Sequence, residues 1–224
     1  AVLRSPLVSV DRINSTSWQE IAATLPPEEV ARLDRQRSFL FLDPPDHTRL
    51  RRLVSKAFTP RTVAELTPFA ERLTEDLLDA AVARGRLEVV GDLAYPLPVT
   101  VISRMLGVPE EDHLRFSEWS DVLAKSLDDG PAIDETDESR ARRHAADEFR
   151  GYFTELCARR RADPRDDLLS ALVQIEHEGD RLSTDELLST AQLLLVAGHE
   201  TTVNLIANGT LALLRDDELR ARVA

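Results

Sequence analysis

The chain has 224 residues, 42% hydrophobic and 30% charged, which fits one domain or a large part of one and excludes a disordered tail. Acidic residues outnumber basic ones by 40 to 28, and the net charge of -12 makes the chain a poor partner for phosphate backbones, so nucleic-acid binding is disfavoured. A single cysteine, Cys157, excludes an intrachain disulfide, and the absence of a leader or an uninterrupted membrane-length apolar run points to the cytoplasm, without membrane attachment.

Nearly every periodic segment has helical spacing, so the expected fold class is mainly α. Asp43-Pro44-Pro45 reads as a helix start, with Asp43 as the cap and the prolines in the first turn, and the helix should reach about Phe58. Thr59-Pro60 restarts a helix to about Arg84, with Leu66, Leu73, Leu77 and Leu78 on one face and Gly85 as the stop. Arg86 to Leu93 is expected to hold a short strand. Tyr95-Pro96-Leu97-Pro98 introduces a helix over Val99–Leu106, closed by Gly107, and Pro109 opens another to about Leu127. Asp128 to Glu138 is acidic, contains Gly130 and Pro131, and reads as a mobile loop. Helices follow over Ser139–Arg161 and Asp167–Ile175, with Pro164 between them and a turn over Glu176–Arg181.

The last segment is the strongest. Ser183-Thr184-Asp185-Glu186 is a capping box, and helical spacing then runs to about Leu214. Roughly 31 residues at ~1.5 Å each give about 46 Å, enough to cross a domain. Its middle is apolar nearly all round, which predicts burial. The chain opens and closes inside amphipathic patterns, so both ends read as cuts.

Two motifs carry chemistry. In Asp43-Pro44-Pro45-Asp46-His47-Thr48-Arg49-Leu50-Arg51-Arg52-Leu53-Val54, His47 and Arg51 are four apart and share a helix face with Val54 and Phe58. Arg49, Arg52 and Lys56 fall on the opposite side as a charged stripe. Spacing alone fits a solvated surface helix; a His/Arg pair beside apolar residues also suits a buried carboxylate, because both groups donate hydrogen bonds to an anion.

The second motif is Ala197-Gly198-His199-Glu200-Thr201-Thr202, in the middle of the long helix. Glycine costs about 1 kcal/mol there, threonine hydroxyls bond back to carbonyls and bend helices, and an unpaired glutamate is costly in an apolar setting. Three unfavourable choices in one turn point to a site. An acid beside an alcohol suits proton transfer into a dry pocket. The competing explanation is a helix–helix contact, with Gly198 allowing close approach and Glu200 meeting an arginine. His199-Glu200 is not a zinc-protease site, since Val203 stands where the second histidine is needed.

Together the motifs resemble those of bacterial cytochromes P-450, the first the family's C-helix signature and the second its I-helix signature, in the same order. The resemblance covers almost the whole chain and implies the N-terminal and central part of that fold, with residues 1–224 as one partial domain. It implies a haem-dependent monooxygenase that inserts one oxygen atom from O2 into a small organic substrate, with electrons from a ferredoxin-like donor. His47 and Arg51 match the pair that binds haem propionates, Ala197 and Gly198 the small residues where the helix widens over the haem, and Glu200 and Thr201 the acid–alcohol pair that delivers protons. Arg49, Arg52 and Lys56 would lie toward the donor-facing side, with simple solvation equally open.

The resemblance also implies that the family's Glu-x-x-Arg motif and thiolate loop come after this chain, which then holds no metal ligand. Cys157, flanked by Leu156 and Ala158 and followed by Arg159-Arg160-Arg161, reads as a buried structural cysteine. The alternative reading is a non-catalytic helical relative that binds an apolar ligand or a partner.

Overall fold

The computed structural model describes residues 8–129, 136–177 and 179–223. The order is α1 (Thr16–Ala22), α2 (Pro27–Arg35), α3 (Asp46–Ala57), α4 (Pro60–Ala83), α5 (Pro96–Met105), α6 (His113–Asp129), α7 (Asp137–Ala162), α8 (Leu168–Gln174), a hairpin of β1 (Glu176–His177) and β2 (Asp180–Arg181), α9 (Thr184–Arg215) and α10 (Asp217–Val223). The mainly α class therefore holds. The hairpin is antiparallel, with Glu176 opposite Arg181 and His177 opposite Asp180. Residues 1–59 with 153–193 form one compact unit, and residues 60–152 with 194–224 form another.

Helix limits follow local chemistry. Gly85 and Gly107 sit at φ of 69° and 67° just past α4 and α5, a conformation that stops a helix and costs glycine little. The predicted capping box is present: the Ser183 N–H donates to the Glu186 carboxylate (2.7 Å), and the Glu186 N–H donates to Ser183 Oγ (3.2 Å). Asp167 caps α8 by accepting from the Ser170 N–H at 2.7 Å, and its other oxygen accepts from Arg160 Nε at 2.6 Å. That ion pair is almost wholly buried, so each charge depends on the other.

Three expectations need correction. Asp43 does not cap α3; its carboxylate accepts from the Ser9 hydroxyl, the Val10 N–H and the Asn14 amide, and Pro45 takes the cap position with no side-chain bond. The Ser9 hydrogen bond is the largest reason that the Asp43 carboxyl is held below its ordinary range. No strand forms over Arg86–Leu93. Val90–Ala94 instead makes a wide helical turn, closed by the Tyr95 N–H on the Val90 carbonyl at 2.8 Å. The Glu88 side chain accepts from the Val90 and Gly91 N–H groups, and the Asp92 side chain accepts from the Glu88 N–H. Those carboxylates satisfy the donors that a partner strand would have taken, and they outweigh the strand preference of the β-branched pair Val89-Val90. Third, the middle of α9 is buried on one side only: Leu195, Val196 and His199 are buried, but Ala197, Glu200 and Thr201 are exposed. Leu78 on α4 is also exposed. The expected loop around Gly130 and Pro131 lies largely outside the described residues.

In the first unit α3 packs on α8 and on the turn Phe39–Phe41, burying Leu50, Leu53, Val54, Leu168 and Leu169. The second unit packs α5 against α4 and α6, with Ile102, Phe116, Trp119 and Phe149 in its core. Trp119 meets Phe149 edge to face at 5.8 Å between centroids.

Candidate functional site

On α3, the His47 N–H donates to the Asp43 carbonyl at 3.1 Å, which closes the first turn. His47 is half-buried, with its ring 6.4 Å from that of Phe39, and Arg51 is exposed one turn later. Neither side chain has a hydrogen-bond or ion-pair partner among the described residues. The inward face of α3, Leu50, Leu53, Val54 and Ala57, fixes the helix and leaves this pair outside the core. Phe58, expected on the same face, is exposed at the end of the helix.

The charged stripe is not uniform. Arg49 is half-buried and turned inward: one guanidinium nitrogen donates to Asp180 at 3.0 Å, and the other pairs with Glu186. It joins α3 to β2 and to the first turn of α9. Arg52 and Lys56 are exposed. A cavity of about 440 Å³ beside Arg49 is lined by Arg37, Asp46, Asp185 and Glu186 among others, and neither His47 nor Arg51 lines it. Its walls are charged, which suits water and ions better than a flat apolar group.

On α9, Thr201 Oγ1 donates to the Ala197 carbonyl at 2.5 Å, the back-bond expected of a mid-helix threonine. The hydroxyl proton is thereby committed and its lone pairs stay available. Ala197, Glu200 and Thr201 are all exposed on one helix face, and Glu200 has no ion-pair partner among the described residues. Gly198 faces another way: a Cβ built on it would lie 2.8 Å from Ile102 Cδ1, so its small size serves close approach to α5. One acid and one hydroxyl, adjacent in sequence and open to the same side, can hold and exchange a proton there.

Sequence reasoning considered His199 only as a failed zinc ligand. The structure buries it to 3% exposure, with Nδ1 2.6 Å from Ser120 Oγ and the ring edge-on to Tyr95 at 4.7 Å. Tyr95 Oη in turn bonds Ser117 Oγ and the Asp121 carboxylate, each at 2.7 Å. Burial is the main cause that pushes the Tyr95 hydroxyl up to about 12 and holds the His199 imidazolium below its ordinary value. The signal lay in helical spacing: His199 follows Leu195 by four and Val196 by three, and both are buried. Cys157 is fully buried, and burial pushes its thiol up to about 11, opposite to what a thiolate ligand needs.

His47 and Arg51 belong to the first unit, and Ala197 to Thr201 belong to the second. The family model described as Cytochrome P450 matches residues 13–224. The chain is 46% identical to Cytochrome P450 CYP107DY1 of Priestia megaterium over 81% of this chain and 43% of the relative. It is 44% identical to Cytochrome P450 monooxygenase PikC of Streptomyces venezuelae over 99% of this chain and 50% of the relative. Among solved structures, the cytochrome P450 PksS of Bacillus subtilis 168 superposes with a TM-score of 0.75 at 40% identity, covering 84% of this chain and 46% of that one. The chain thus spans about half the length of the curated relatives it matches. A family match over nearly all of the sequence, carried by a helical architecture of the same kind, leads to one conclusion: the chain belongs to the cytochrome P450 family.

Proposed function

We propose that the intact protein is a haem-dependent monooxygenase that places one oxygen atom from O2 into a small organic substrate. The observation that carries this reading is the exposed face of α9, where Glu200 and Thr201 stand together and the Thr201 proton is held by the Ala197 carbonyl. Bound haem supplies the reduction of O2 and the transfer of the oxygen atom.

The residues of this chain bind and deliver protons. His47 and Arg51, two nitrogen donors one turn apart whose side chains have no hydrogen-bond or ion-pair partner among the described residues, fit the propionate carboxylates and would anchor that edge of the porphyrin. Cys157 would not supply the thiolate that holds the haem, since it is buried in a helix with its thiol pushed up to about 11. Ala197 presents only a methyl group on the face shared with Glu200 and Thr201, leaving room beside the cofactor. Gly198 serves that face indirectly, by letting α9 close on Ile102. Thr201 Oγ1 would accept a hydrogen bond from a water beside the cofactor, and Glu200 would take protons from solvent and pass them to that point. Electrons come from a ferredoxin-like donor attracted by Arg52 and Lys56; Arg49, already paired with Asp180 and Glu186, contributes less to that surface.

The test uses the full-length protein with haem. T201A should divert electrons from product to peroxide, roughly tenfold or more in the ratio, since positioned proton transfer contributes on the order of 10²-fold or more. Unchanged coupling would remove the proton-delivery role. H47A combined with R51A should lower haem content after purification, and full retention would remove the propionate assignment.

A further inference from the structure

The turn of α9 that carries the proposed proton pair has two unlike sides. Ala197, Glu200 and Thr201 are exposed on one side, and His199 projects from the other into the interior of the second unit. The next turn toward the start of the helix supplies Leu195 and Val196 to the same buried side. Of the ionisable side chains in this stretch, His199 alone is enclosed.

Its surroundings are specific. Ser120, from α6, is itself fully buried and sits 2.6 Å from Nδ1. Tyr95, at the start of α5, presents its ring at an interplanar angle of 81° to the imidazole and is held by Ser117 and Asp121 of α6. Nε2 is buried and has no hydrogen-bond partner among the described residues. The neutral tautomer with its proton on Nδ1 donates to Ser120 and leaves only a lone pair unmet at Nε2, whereas an imidazolium would bury an N–H at Nε2 with nothing to receive it. One residue earlier, Gly198 is pressed to Ile102 of α5, so α9 meets α5 and α6 through consecutive residues.

We propose that His199 is a positioning residue: bonded to Ser120 and packed on Tyr95, its neutral ring fixes the rotation and height of α9 and so aims Glu200 and Thr201. The proposal rests on the reading of those two residues as a proton-delivering pair. Thr201 is only two residues from His199, and a helix that rolls about its axis carries both by the same angle. Loss of the Ser120 bond frees that roll, while the Thr201 back-bond to Ala197, being internal to the helix, is left intact.

The test uses the full-length haem-loaded enzyme with H199F, H199N and S120A. The first readout is amide hydrogen exchange of the peptide covering residues 194–204, and the second is the fraction of electrons recovered as peroxide. S120A and H199F should each speed exchange in that peptide about fivefold, the effect of one net hydrogen bond, and raise the peroxide fraction at unchanged haem content. H199N, whose amide reaches toward the same hydroxyl, should restore most of both. H199F combined with S120A should be no worse than H199F alone, because the two groups share one interaction.

The proposal is overturned if exchange in this peptide is unchanged in S120A and H199F alike, or if these two variants lose stability uniformly with no change in peroxide. The T201A result separates the two ideas. If T201A uncouples while S120A and H199F do not, the proton pair stands and the positioning role is wrong. If T201A leaves coupling unchanged, the pair itself fails, and the exchange data alone decide whether the anchor holds.

Discussion

His199, Tyr95 and Cys157 obey one rule with opposite signs. Burial penalises whichever form is charged, so it lowers the proton affinity of the imidazole and raises that of the phenol and the thiol. For His199 this fixes a pH dependence. Its folded value lies below the ordinary 6.5, partly offset by the Asp121 carboxylate, so the unfolded chain takes up the proton first as pH falls. The contribution of His199 to stability is therefore full above about pH 6.5 and is lost progressively as pH drops toward the folded value. Melting temperatures of the full-length protein and H199F, compared from about pH 8 to about pH 5, should show the wild type losing ground on the acid side. A gain there would mean that the imidazolium is stabilised. At this scale the sequence was legible where chemistry is local: the Thr201 back-bond spans four residues and was expected. The Ser120 bond spans 79 residues, and no spacing rule reaches it.

Helices were read well where their ends carry their own partners. The capping box at Ser183 and Glu186 and the glycine stops after α4 and α5 need nothing beyond a turn of chain. The strand expected before Tyr95 failed because Glu88 and Asp92 fold back on the same short stretch, and β-branched composition does not reveal that competition. The start of α9 allows a further test. Ser183 serves only the box, whereas Glu186 also receives Arg49. S183A should cost about 1 kcal/mol in chemical denaturation. E186A should cost that and up to about 1 kcal/mol more, since Arg49 is still partly open to solvent. Equal losses would show that the Arg49 contact contributes nothing.

For the molecule as a whole, composition and periodicity were enough for a mainly α class, because helices declare themselves in short windows. The pairing of Arg49 was not legible; its partners stand 131 and 137 positions away, and the surface stripe expected there is divided by that inward turn. This long clasp bears on the order of assembly. Closing so large a loop costs chain entropy before any contact returns it, whereas α4 and α5 meet across a short connection. During refolding, pulse-labelled amides of α4 should gain protection earlier than those of α3 and the β-hairpin, and simultaneous protection would contradict the sequence of events. The corner fastened by Arg49 is then a latecomer, completed only after translation has delivered Glu186, so the helix bearing His47 and Arg51 waits on distant chain before it is locked.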